Sequence, residues 1–152
     1  MDVRIERKTA FYVSGYPVET NEASLAKDCA MLREKFEDKL RTISDHLYFA
    51  SFMSKDGIMV SPMEEGGVMI YLLGIESTSQ NPATEGATCI EVPATCFAIA
   101  TVPEGAPILA TWLEFFDKGI TSLGATIDLD YNLYFESFDE NGVCELWIPV
   151  KE

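Results

Sequence analysis

Apolar and polar positions alternate along this chain, change to a helical spacing, alternate again, and then repeat the cycle. Residues 3 to 16 read as a long first strand with Phe11, Tyr12 and Val13 at its centre, ended by Pro17. Thr20 or Asn21 can cap the helix that follows. Its apolar positions Leu25, Cys29, Leu32, Phe36 and Leu40 share one face, and charges fill the other. Residues 47 to 53 alternate as a second strand. Asp56-Gly57 signals a turn, residues 58 to 65 read as a hairpin insertion, and residues 68 to 74 form a third strand. Residues 76 to 87 are polar and rich in Ser, Thr, Pro and Gly, which marks a connection.

The second half runs in the same order. Residues 89 to 102 read as a strand with a break near Pro93. Pro107 suits the first turn of a helix whose apolar face is Ile108, Leu109, Trp112, Leu113, Phe115 and Phe116, and Gly119 is expected to end it. Residues 120 to 130 read as a loop, 133 to 138 as a strand, Asn141-Gly142 as a hairpin turn and 143 to 150 as the last strand. The sequence itself repeats. Tyr48-Phe49-Ala50-Ser51-Phe52 returns 86 positions later as Tyr134-Phe135-Glu136-Ser137-Phe138, and the same shift matches Thr9 with Thr95, Phe11 with Phe97 and Pro17 with Pro103. The expectation is one α+β domain over 1–152, made of two strand–helix–strand–strand modules at 1–75 and 88–152 joined by 76–87. An antiparallel sheet with two helices, a pseudo-twofold axis and a cleft between the modules follows from copies that bury faces against each other.

Within the repeated pentapeptide the one difference is Ala50 against Glu136. Side chains alternate across a strand, so Tyr134, Glu136 and Phe138 share a face, and the repeat puts Tyr48, Ala50 and Phe52 on the matching one. A carboxylate among rings is costly to desolvate unless it is paired, and burial would raise its pKa. Such a group serves as a general base or as the counter-ion of a bound cation, whose attraction to the rings adds to the pairing. Pattern alone also fits a solvated glutamate on an exposed face, the commoner case. Tyr71 and Trp147 fall at corresponding places in the third strands, Trp112 adds a ring from the second helix, and Tyr12 is a further candidate from the first strand. Each equally fits ordinary core packing.

Composition narrows the function classes. Lys plus Arg number 11 and Asp plus Glu 25, a formal net charge of −14 that repels phosphate backbones and anionic membranes. Direct nucleic-acid binding is not expected. No apolar run approaches the roughly 18 residues of a membrane span. Cys29, Cys89, Cys96 and Cys144 show no C-x-x-C spacing, and a cytoplasmic protein with reduced thiols is the simplest reading. His46 is the sole histidine and has no partner in sequence, so it reads as a surface or capping residue. No ligand set for a metal and no phosphate-binding glycine motif is present, and no cofactor is expected.

Ile90-Glu91-Val92-Pro93-Ala94, a helix bearing Trp112, Tyr134-Phe135-Glu136-Ser137-Phe138 and Cys144-Glu145-Leu146-Trp147-Ile148-Pro149-Val150 follow in that order. Together they resemble the GyrI-like small-molecule-binding domain, also found as the effector-binding domain of multidrug-responsive bacterial transcription regulators. The resemblance implies a ligand cleft at the module junction with Glu136 as its acidic residue. By position, Phe138, Trp112 and Trp147 would be wall residues, with Tyr71 added by internal symmetry. The first strand begins close to Met1, so a stand-alone member is expected. The favoured function is binding of an amphipathic, cationic organic ligand without catalysis. The alternatives are a hydrolase of reactive small molecules, using Glu136 with Tyr71 or Tyr12, and a gyrase-inhibitor-like role through the acidic surface.

Overall fold

The expected long first strand is two strands in line, β1 (Val3–Lys8) and β2 (Phe11–Thr20). This computed structural model describes residues 1–82 and 84–151; Ala83 of the expected linker and Glu152 of the expected domain lie outside the described residues. The first module continues with α1 (Leu25–Arg41), β3 (Leu47–Lys55), a short β4 (Ile58–Val60) paired to β3, and β5 (Val68–Ser77). The second has β6 (Thr88–Val92) and β7 (Thr95–Thr101), the second helix, β8 (Thr126–Ile127), β9 (Tyr134–Phe138) and β10 (Cys144–Lys151). The chain is thus α+β, with an antiparallel sheet and two helical regions. No helix among the described residues is long and apolar enough to cross a membrane.

The sheet order is β1-β7-β10-β9-β3-β5-β2-β6, with the two modules meeting at β9 and β3. β1 and β2 are consecutive in the chain yet stand near opposite ends of this order. The register explains how. Lys8 faces Thr95 and Phe11 faces Val92, so β1–β2 and β6–β7 run side by side as one antiparallel ladder with a gap. Pro93 lies in the gap, where its missing N–H cannot serve a ladder bond. The sheet therefore closes on itself as a barrel, and closure removes exposed edges.

Closure gives every strand an inner and an outer face. Inside lie Val13, Tyr48, Ala50, Phe52, Leu72, Phe97, Ile99, Phe135 and Trp147. The outer face carries Tyr16, Phe49, Leu73, Phe138 and Leu146 and is covered by the helices through Leu32, Leu40, Phe115 and Ile120. Here the pentapeptide repeat misleads. Ala50 pairs with Phe135, inside, whereas Glu136 pairs with Phe49, outside. Carrying the first strands' 86-residue offset through the ladders makes Leu47, not Ala50, the counterpart of Glu136. Tyr71 and Trp147 likewise fall on opposite faces and are not counterparts.

α1 begins later than expected. Ser24 is its N-cap without a side-chain bond, while Asn21 Oδ1 accepts from the Ser24 amide at 3.0 Å to set the entry turn. The second helix starts at Pro107 as expected, with α2 (Ile108–Glu114), and runs through a π-type stretch (Phe115–Gly119) into α3 (Ile120–Ser122). Gly119 does not end it. A Cβ there would lie 2.7 Å from Phe115 Cδ1, so this glycine is needed for packing. Termination falls to Gly124 at φ 68°, a backbone that suits glycine.

Candidate functional site

Glu136 sits on the outer face of β9, beneath the two helices. Along the strand it lies between Tyr134 and Phe138, and across it the register neighbours are Phe49 and Leu146. α2 brings Trp112 over it, and the indole Nε1–H donates to Glu136 Oε1 at 2.8 Å. Phe116, one turn on, stacks on Trp112 with ring centres 5.7 Å apart and is 6.3 Å from Tyr134. Phe116 is 42% exposed, so a run of rings leads from the carboxylate towards the surface. From the other side, α1 supplies Cys29 and Arg33. The Arg33 guanidinium carbon lies 4.3 Å from the centre of the Phe138 ring and 5.3 Å from that of Phe49. Tyr71 stands 6.5 Å, ring to ring, from Phe49.

Burial holds the Glu136 carboxyl above its ordinary range, against the opposing pull of the Trp112 hydrogen bond and the Arg33 charge. The groups around it are pushed the same way. Burial first, and the charge of Glu136 second, push the Cys29 thiol up to about 11 and the Cys144 thiol up to about 12. The Tyr71 phenol is raised too, mainly by burial, with Glu136 contributing. These neighbours stay neutral near pH 7, so Glu136 is the group among them that can carry the negative charge of this site. The arrangement can pair a cation, hydrogen-bond through the indole and offer ring faces to a hydrophobic body.

The structure brings together Glu136, Trp112, Phe138 and Tyr71, and it does not bring Ala50, Trp147 or Tyr12 to them. Trp147 is 4% exposed inside the barrel, where its Nε1–H donates to Ser137 Oγ at 3.2 Å and its ring lies 5.4 Å from that of Phe97. Tyr12 lines a separate hollow of about 290 Å³ with Gln80, Cys89 and Glu91, and its oxygen accepts from Gln80 Nε2 at 3.4 Å. Another hollow of about 170 Å³ lies beside Met59, Pro93 and Tyr131. Neither includes Glu136, over which the Trp112 indole is placed. His46 stacks on Tyr48, ring centres 5.2 Å apart. Sequence reasoning missed Arg33, Phe49 and Phe116. Cys29 and Arg33 are four apart and therefore neighbours on α1, a spacing that could have flagged Arg33 at the margin of the apolar stripe.

The family model described as integron-associated effector-binding protein (Cass2) matches residues 4–150. The chain belongs to this family. The GyrI-like resemblance read from the Tyr134–Phe138 and final-strand segments holds for family and fold. Solved structures agree on the fold. An integron cassette protein from the mobile metagenome of Vibrio cholerae superposes with a TM-score of 0.65 at 15% identity, covering 98% of this chain and 95% of that one. SAV2435, solved bound to tetraphenylphosphonium, has a TM-score of 0.63 at 14% identity over 99% of this chain and 94% of its own. The C-terminal domain of EcmrR has 0.54 at 12% identity, over 99% and 98%. No curated protein matches the chain by sequence. In this integron-associated effector-binding family member, the fold places the Glu136 site on the outer barrel face between α1 and α2.

Proposed function

We propose that this chain binds an amphipathic organic cation at Glu136 and breaks no bond in doing so. The observation that carries this reading is a carboxylate, held under an indole by a 2.8 Å hydrogen bond, on a face rich in aromatic rings. Burying that charge is tolerable in the unliganded protein because Trp112 satisfies one oxygen. A cation offers the carboxylate full charge pairing, and the rings of Trp112, Phe138, Tyr71 and Phe116 offer their faces to its apolar substituents. Membership in an effector-binding family and the tetraphenylphosphonium complex of SAV2435 support a ligand of this class. The net charge of −14 favours cationic over anionic solutes at long range.

Calorimetric titration with tetraphenylphosphonium and with its anionic isostere tetraphenylborate tests the reading. The wild type is expected to bind the cation and not the anion, and Glu136→Gln to weaken the cation by roughly tenfold or more, as expected for removal of a buried charge partner. Equal affinity for both ions, or cation binding indifferent to Glu136→Gln, would overturn it.

A further inference from the structure

We infer that Arg33 is the resident cation of the Glu136 site, occupying in the unliganded protein ring faces that a bound cation takes, so that it sets affinity and charge selectivity. This inference rests on the proposed cation-binding function. Its guanidinium lies over two rings of the site, Phe138 and Phe49, at distances where a cation is attracted by the ring face. Its charge acts on the Glu136 carboxylate from α1, while Trp112 bonds that carboxylate from α2. The ion pair of Arg33, at 3.7 Å, is made with Glu37, one turn further along the helix. Glu37 also stands 4.0 Å from Arg41. Arg33 therefore has an acceptor outside the ring cluster towards which its side chain can withdraw, and its side chain is already 36% exposed. An entering cation displaces the guanidinium from Phe138 and Phe49, and the guanidinium moves towards Glu37 and water. The two positive charges compete for the Phe138 ring and for the same carboxylate.

The test uses Arg33→Met, which keeps an unbranched apolar stem, and Arg33→Lys, which keeps the charge. Thermal melts establish that both fold. Arg33→Met is expected to tighten tetraphenylphosphonium roughly tenfold, as for one like charge removed from a partly screened site. Arg33→Lys is expected to stay near wild type. In the wild type, the Arg33 Nε–H resonance is expected to lose its ring-current shift as tetraphenylphosphonium is added. A second readout needs no ligand. Among the groups facing Glu136 (Arg33, Trp112, Cys29, Cys144 and Tyr71), Arg33 is the cation, so Arg33→Met should raise the Glu136 titration followed by carboxyl carbon NMR.

If Arg33→Met weakens the cation or leaves it unchanged while Glu136→Gln still weakens it, Arg33 is a wall of the site and the inference fails alone. If tetraphenylphosphonium binding ignores Glu136→Gln, or does not occur in any of these proteins, the cation reading fails and takes the inference with it.

Discussion

Glu136 is flanked along β9 by Tyr134 and Phe138, covered by Trp112 and approached by Arg33. Folding raises the pKa of its carboxyl, so the native state holds this proton more tightly than the unfolded chain does. The stability it contributes is fully present below the ordinary value of 4.5 and is lost as pH rises through the folded value. A glutamine in its place stays neutral throughout. Glu136→Gln is therefore expected to melt at a higher temperature than the wild type at pH 8, with the gap closing in acid. Calorimetric melting temperatures across pH check this, and a variant less stable than wild type at pH 8 would contradict it. Glu136, Trp112 and Phe138 were named through the ordered motifs of the family resemblance, because pattern alone fitted a solvated glutamate and ordinary core rings equally well. Arg33 was not, since a helical pattern leaves residues at the margin of a stripe undecided. Ala50 and Trp147 were misplaced because the face of a strand residue is fixed by pairing register, and a one-residue difference in register turns every side chain over.

At the level of elements, the pairing of β2 with β5 depends on close backbone approach. Gly15 and Gly74 face each other across β2 and β5. A Cβ on Gly15 would lie 2.1 Å from the Leu73 carbonyl oxygen, and one on Gly74 would lie 2.5 Å from that of Ser14. Backbone atoms cannot move aside as flexible side chains do, so Gly74→Ala is expected to cost about 2–4 kcal/mol. Urea unfolding measures this, and a loss below about 0.5 kcal/mol would mean that the strands part freely. Alternation, the apolar stripe of α1 and the turn at Asn141-Gly142 made most elements readable. The end of the second helix was not, because Gly119 is selected by contact with Phe115 and Met1 rather than by its own backbone conformation. Packing across the fold leaves no local mark of that kind.

Across the whole molecule, each half supplies the other with part of its sheet. β1 pairs with β7 of the second half, and β6 pairs with β2 of the first. Arg4 on β1 adds an ion pair at 2.7 Å to Glu145 on β10. Neither half closes the barrel alone. Fragments 1–77 and 78–152 are each expected to lack a cooperative melt. Mixing them should restore one and shift tryptophan emission to the blue as Trp147 enters the interior; a cooperative melt of 1–77 alone would contradict this. The repeat announced two modules, yet barrel closure was hidden. It depends on the pairing of residues such as Lys8 with Thr95, which no local pattern encodes.

The site lies on the outer face, where helices from both halves each bring a side chain to Glu136, and the account stands on the charge of that one residue. Titration of tetraphenylphosphonium into wild type and Glu136→Gln, each shown folded, tests that most directly. The account predicts binding by the wild type and a loss of roughly tenfold or more in the variant; equal affinities in the two proteins would contradict it.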